Sequence, residues 1–434
     1  MKINKLKFKD SINSLFLRFS SVGTSFLFSW IIAKSLDTHN AGNVFFIITL
    51  LTIAVTISCQ GGELALTKII ARIKYAKKQD IIKLFHFSLI RSYKLYFLVV
   101  FAFTLFNFIE KQTDDILIII MYSIIGMSLL YMNLTSYLYQ GLGKIALMTL
   151  SQRTLFNLMS FSLISIYLLN INEGVIPSEE KIVTILFISA MISLILFLIL
   201  MYVPPKKCWK TSEEKINFEH YKQQFILSSK FLFKIQVFQL ITMYSGQIIL
   251  NYFSTKSDIA GFVISQRIST IIAFFILASS SIISSKVSLA YERKNLADIH
   301  KHAFSSFIFS SSLGIPLSII LILFSNDILS IFGKEYSEFS LVLIILLISQ
   351  IFNCLTGASD IVLMFIDGEK EHKINIYIGT TIAILTSVVL IPIYGAIGAA
   401  ISTAISSIIV NILDIISIRI KIGIWLFIPP IRMR

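Results

Sequence analysis

Residues 182–203 read Ile182-Val-Thr-Ile-Leu-Phe-Ile-Ser-Ala-Met-Ile-Ser-Leu-Ile-Leu-Phe-Leu-Ile-Leu-Met-Tyr-Val203, without one charged side chain. A helix of about 20 such residues crosses the ~30 Å hydrocarbon core of a bilayer. Being apolar on all sides, it suits lipid and offers water no polar face. Lys181 precedes the block and Pro204-Pro205 follows it. This stretch sets the fold class as all-α integral membrane.

Working outward, blocks of the same kind occupy 13–34, 41–60, 92–109, 116–139 and 145–170 before it. After it come 228–253, 261–285, 303–324, 339–366, 374–394 and 396–417. About twelve transmembrane helices are therefore expected. Composition agrees: 56% of the 434 residues are hydrophobic and 14% are charged, against about 25% charged in soluble domains. The first block carries Arg18, runs long and lacks a small-residue cleavage pattern, so it reads as an uncleaved helix and not a signal peptide.

The net charge of +14 raises nucleic acid as a partner. The basic residues instead lie in short clusters between apolar blocks, with no basic domain or aromatic stacking motif, which argues for no nucleic acid. Most of the 38 fall on one side: the N-terminus (Lys2, Lys5, Lys7, Lys9), the 61–94 segment, the 204–224 linker, the 286–302 loop and the tail. The other side has Lys34, Lys111, Lys181, Lys256 and Lys334. The positive-inside rule makes the first side cytoplasmic and, with an even helix count, puts both termini there.

The chain also repeats itself. Ser35-Leu-Asp-Thr-His-Asn-Ala41-Gly42-Asn-Val44 matches Ser254-Thr-Lys-Ser-Asp-Ile-Ala260-Gly261-Phe-Val263 at four positions, and Lys68, Asp80, Ile81 and Lys83 recur as Lys286, Asp298, Ile299 and Lys301. Both offsets are close to half the chain length. The expected organisation is two pseudo-symmetric six-helix bundles in parallel orientation, 1–203 and 225–434, joined by a cytoplasmic linker at 204–224.

No catalytic or metal site is legible. Cys59, Cys208 and Cys354 lack zinc or redox spacing, and the six histidines form no ligand pattern. There is no phosphate loop, and Gly141-Leu-Gly143-Lys144 is too short for a nucleotide fingerprint. No Ser/His/Asp set or carboxylate pair stands outside the helices, and the loops are short. The chain is expected to be no enzyme and to need no cofactor, with proton or sodium coupling left open.

Charges at bilayer depth mark functional sites by default. Arg18, Arg153, Lys230, Lys234 and Arg267 fall inside helices and are all cationic, so the expected ligand is an anion. On the seventh helix Lys230, Lys234, Gln236, Tyr244, Gln247 and Asn251 share roughly half the circumference, as the lining of a polar cavity would. Snorkelling of Lys230 and Arg267 to headgroups is the competing reading. Among acids, Asp360 and Asp414 are candidates for ion coupling, and neutralising a nearby Arg or lying close to the cytoplasmic end is the competing reading, favoured more for Asp414 than for Asp360. Gly314 and Pro316 could hinge the ninth helix or serve plain packing there, and Gly395-Ala-Ile-Gly398-Ala-Ala allows close helix packing.

Four segments together carry a resemblance: Ala33 to Gly42, Tyr139-Gln-Gly-Leu-Gly-Lys144, Gln223 through Gly261 to Arg267, and Ile328 to Tyr336 with Leu390 to Ala400. In order and spacing the chain resembles the Wzx-like polysaccharide (O-antigen repeat-unit) flippases of the multidrug/oligosaccharidyl-lipid/polysaccharide exporter superfamily. The resemblance implies two bundles around a cavity that opens alternately to each side. It also implies an undecaprenyl-pyrophosphate-linked glycan as substrate, membrane lipid as surroundings, and a polysaccharide polymerase and chain-length regulator as partners in a bacterial inner membrane. Two other readings stand beside it. One is a cation-coupled multidrug exporter of the same superfamily. The other is a membrane-embedded polysaccharide polymerase or ligase, which the short outward loops disfavour.

Overall fold

The computed structural model describes residues 20–73, 78–110, 116–171, 177–202 and 218–429. Arg18, Cys208 and most of the expected linker lie outside them. Among the described residues every regular element is helical. Helix α1 runs through 20–35. It is followed by α2 (Thr38–Cys59), α3 (Gly62–Ile73), α4 (Lys78–Glu110), α5 (Ile116–Gly141) and α6 (Ile145–Thr149). A π-helical turn (Leu150–Thr154) leads into α7 (Leu155–Leu169), then α8 (Glu179–Tyr202), α9 (Phe218–Phe253), α10 (Lys256–Glu292) and α11 (Leu296–Leu323). Short α12 (Ser325–Ser330) and a 3-10 turn (Lys334–Phe339) precede α13 (Ser340–Thr356), α14 (Ser359–Phe365) and α15 (Glu369–Ile422).

Nine helices among the described residues are long and apolar enough to cross a membrane. Over the described residues, the twelve expected spans fall on helix. The fifth is α6, the π-turn and α7; the tenth is α13 with α14; the last two are the halves of α15. That helix breaks at Gly395 (φ 53°, ψ −128°), three residues after Pro392. A left-handed backbone there suits glycine and no β-carbon-bearing residue as well. Apolar side chains face outward throughout, Leu169 at 86% and Ile420 at 81% exposure. Water would not tolerate such a surface, and lipid does. The protein is a multi-pass membrane protein.

One expectation is revised by the backbone. The 61–94 segment, read as a basic loop, is helical along α3 and much of α4. Helix α3 buries Ala65, Leu66, Ile69, Ile70 and Ile73 while Lys68 and Arg72 stay exposed. That amphipathic stripe escapes a reading tuned to fully apolar spans. Helix α11 also stays helical through Pro316. A β-carbon on Gly314 would collide with Cys354 Sγ, so the glycine serves close packing of α11 on α13.

Many hydroxyls inside these helices are satisfied locally. Thr52 donates to the Ile48 carbonyl (2.7 Å), Ser58 to Ala54 (2.6 Å) and Thr135 to Tyr131 (2.7 Å). Such back-bonding lets polar residues sit where no water is available. The chain forms two compact units: Met1–Asp37 with Ile47–Val237, and Thr38–Phe46 with Phe238–Arg434. In the first, α5 packs against α3, α4 and α8, and α7 against α8. In the second, α10, α11 and α13 pack on one another and α15 lies on α13. A core of Ile283, Val287, Ile299, Val362, Leu363 and Ile418 joins α10, α11, α14 and α15.

Candidate functional site

Arg153 occupies the most irregular backbone in the first unit. In the π-turn between α6 and α7, Gln152 and Arg153 leave helical geometry, Arg153 at φ 63° and ψ −11°. A non-glycine residue in this region costs about 1–3 kcal/mol, and π-turns inside helices recur at functional sites. The guanidinium Nη2 donates to Thr52 Oγ1 of α2 at 3.0 Å. Beside it, the Thr154 hydroxyl lies 3.1 Å from Ser21 Oγ, and Asn157 Nδ2 donates to Ser25 Oγ at 3.2 Å. Polar side chains of α1, α2, the π-turn and α7 thus meet along the stretch that carries Arg153.

Helix α9 carries the next two cations. Lys230 and Lys234 are exposed, whereas Gln236 is buried. The helical-wheel reading set all three on one half of the helix, and the structure separates them by packing. Phe225, Ser229, Phe233 and Gln236 form a face directed at the break between α2 and α3. Gln60 and Gly61 there have φ of 50° and 71°. A β-carbon on Gly61 would lie 2.6 Å from the Phe233 amide nitrogen, and one on Gly62 3.1 Å from the Phe225 ring. The glycines let α9 approach to backbone contact, and that contact fixes its rotation. Gln236 Nε2 then donates to Glu63 Oε1 at 2.9 Å.

The remaining candidates belong to the second unit. Gln247 is buried and donates to Gln266 Oε1 at 3.1 Å, next to the partly buried Arg267. Tyr244 is partly buried, and Asn251 Oδ1 accepts from the Lys256 ammonium. Asp360 lies in the first turn of α14, partly buried and within electrostatic reach of His372 and Asp414. Asp414, 1% exposed, sits 3.1 Å from His372 Nδ1 and accepts from Asn375 Nδ2 at 2.8 Å. It fastens the start of α15 to its last turns.

Sequence reasoning passed over Arg91 and Glu63. Arg91 was counted among loop charges, but it lies on α4 in the first unit. There its Nε donates to Gln60 Oε1 at 3.0 Å and its Nη1 is buried without a hydrogen-bond partner. With Lys94 it lines a groove of about 480 Å³ beside Phe87, Ile90, Leu95 and Leu98. An under-coordinated guanidinium in such a groove can offer hydrogen bonds to an anion. Glu63 follows Gln60-Gly-Gly directly after an apolar block. That glycine pair was the available signal that a helix is interrupted beside a buried acid.

With this geometry in place, the chain can be set beside known proteins. The family described as "Polysaccharide biosynthesis protein" matches residues 9–285, and MatE matches residues 235–393. An uncharacterized membrane protein of Methanocaldococcus jannaschii is 24% identical over 251 residues, covering 56% of this chain. The chain covers 47%, about half, of that relative's length. A multidrug resistance MATE family transporter of the MOP superfamily, solved inward-facing, has a TM-score of 0.72 at 13% identity, covering 93% of this chain and 94% of that one. The lipid II flippase MurJ, in an inward closed conformation, has a TM-score of 0.62 at 17% identity, covering 94% and 87%. These likenesses carry the fold. The family match spans well over half of the sequence and encloses Arg153, Lys230, Lys234 and Arg267. The chain belongs to the polysaccharide biosynthesis protein family and has the fold of the multidrug/oligosaccharidyl-lipid/polysaccharide exporter transporters.

Proposed function

We propose that this protein is a transporter that flips undecaprenyl-pyrophosphate-linked oligosaccharide repeat units, of O-antigen or capsule type, from the cytoplasmic to the periplasmic leaflet by alternating access. It would act in the bacterial inner membrane with both termini in the cytoplasm, as two six-helix bundles (1–203 and 225–434) around the 204–224 linker. The observation that carries the reading is the sign of the charges: the region matched to the polysaccharide family holds Arg153, Lys230, Lys234 and Arg267 within its helices, and Arg18 in the first apolar block of its sequence. A pyrophosphate asks for such donors, since guanidinium and ammonium groups make charge-assisted hydrogen bonds to phosphate oxygens. Gln236, Tyr244, Gln247 and Asn251 are assigned to the sugar. The likeness to a solved lipid II flippase supports a lipid-linked glycan as the substrate class. Polymerase and chain-length regulator are its proposed partners, and no catalytic residue is assigned.

A second reading is favoured by the MatE match over 235–393 and by the MATE neighbour: a cation-coupled multidrug exporter, with Asp360 as a coupling carboxylate. A deletion strain separates the two. Under the first reading, lipid-linked repeat units accumulate on the cytoplasmic leaflet and surface polysaccharide disappears. The intact gene restores export, and Arg153→Ala with Lys234→Ala does not. Normal surface polysaccharide with increased sensitivity to cationic drugs selects the second reading.

A further inference from the structure

Glu63 and Gln236 meet inside the first unit with one oxygen each left over. Glu63 is 3% exposed and Gln236 7%. Gln236 Nε2 donates to Glu63 Oε1, while Glu63 Oε2 and Gln236 Oε1 are buried and neither makes a hydrogen bond of good geometry, although Cys59 and Asn133 stand close enough to the carboxyl to polarise it. Both leftover atoms are acceptors when the acid is ionised, so neither can satisfy the other. A buried unsatisfied acceptor costs about 1–3 kcal/mol, and more when it is charged.

Among the described residues no cation is paired with the carboxylate. Cys59 of α2, and Asn133 and Tyr137 of α5, interact with the carboxyl, and none of them is basic. Tyr93 and Ser92 of α4 stand near Cys59. Arg91, also on α4, gives its hydrogen bonds to Gln60. Lys68 of α3 and Lys234 of α9 are exposed. Among the described residues Glu63 forms no ion pair.

One proton on Glu63 Oε2 removes both deficits. It turns that oxygen into the donor Gln236 Oε1 lacks, and an acid joined to a primary amide by one N–H···O bond then closes a two-bond ring. The location gives the ring a consequence. It lies where α9 packs into the break at Gln60 and Gly61, and Gln236 is next to last in the portion of α9 that belongs to the first unit.

We propose that Glu63 and Gln236 form a proton-operated latch, which ties the first part of α9 to the α2–α3 break when Glu63 is protonated and releases it when the proton leaves to water. The proton is taken from and returned to bulk water, and no other bond changes. Its use as a step in a transport cycle rests on the proposed function, whereas the latch itself does not.

The test uses the full-length protein in lipid nanodiscs without substrate. Infrared difference spectra on acidification show a protonated-carboxyl band in the wild type that Glu63→Gln removes and Gln236→Leu shifts. In parallel, hydrogen exchange over residues 218–237, corrected for intrinsic rates, accelerates at least tenfold on alkalinisation of the wild type. It stays slow at both pH values in Glu63→Gln, whose amide closes the ring permanently. A band untouched by Glu63→Gln, or one that moves only in Asp360→Asn or Asp414→Asn, overturns the latch. If Glu63→Gln fails to fold, an unshifted band in Gln236→Leu overturns it equally. Loss of the export phenotype is not among these readouts, so failure of the flippase reading and failure of the latch are distinguishable.

Discussion

Thr38 and Ser257 hold equivalent places in the internal repeat, 219 residues apart, and their hydroxyl oxygens lie 3.0 Å from each other. The repeat therefore marks a physical junction as well as a duplication. One turn into α2, Gly42 packs against the backbone of Lys256, whose ammonium sits 4.8 Å from the Phe46 ring centroid. The equivalent Gly261 packs instead on the Phe339 ring. The two glycines share a place in the repeat and serve different contacts. This is why the Thr38–Phe46 segment belongs to the second compact unit and not to the first.

Gly42→Ala is the sharpest test of that junction. Its β-carbon would fall on the Lys256 carbonyl, a backbone atom that has no rotamer to escape into. Overpacking of this kind costs about 1–3 kcal/mol. Thermal unfolding of the purified protein should show a clearly lowered Tm. Gly23→Ala, with no atom within 4 Å of the new carbon, should leave Tm unchanged or raise it.

Arg153 separates backbone from charge. Because its φ is 63°, Arg153→Gly keeps the turn without strain and Arg153→Ala does not. Both should lose export, since a charge-assisted hydrogen bond contributes about 1.5–3 kcal/mol, roughly ten- to a hundredfold in rate. The alanine variant should also unfold at lower temperature than the glycine variant. Equal export by Arg153→Gly and wild type would remove Arg153 from the substrate site.

Lys230 and Lys234 are exposed, so their joint replacement by alanine should change stability by no more than ~0.5 kcal/mol. Insertion and melting should match wild type while lipid-linked substrate accumulates in the complemented deletion strain. Unimpaired surface polysaccharide would remove the pair from the substrate site.

Asp414 should act on stability. Buried against the partly buried His372 and the buried Asn375, Asp414 holds both, so Asp414→Ala should cost about 3 kcal/mol. Asp414→Asn keeps the hydrogen-bonding shape and should cost less. Asp360→Asn is the informative comparison for coupling: it should alter the dependence of export on an imposed ion gradient with little change in Tm.

How much of this was legible beforehand depends on the residue. The span 182–203 announces a membrane helix on composition alone, because hydrocarbon solvation depends on how apolar a segment is and not on its neighbours. Helices α8 and α10, and the division of α15 near Pro392 and Gly395, follow from the same rule. Helix α3 was missed because its five core residues alternate with Lys68 and Arg72, a pattern that an average over the segment erases. The cationic candidates were readable as charges in apolar surroundings. Their environments were not, since a wheel projection of α9 places Gln236 with Lys230 and Lys234.

The sequence by itself determined the solvent, the helical class, the repeat and the excess of cations, all of which are properties of single segments summed along the chain. Tertiary structure alone decided that Gly61 admits α9 to backbone contact, that this turns Gln236 inward to Glu63, and that Arg153 adopts a left-handed backbone beside Thr52. Those outcomes depend on which surfaces touch. Helix rotation is set by a few close approaches between segments distant in sequence, and no local periodicity encodes them.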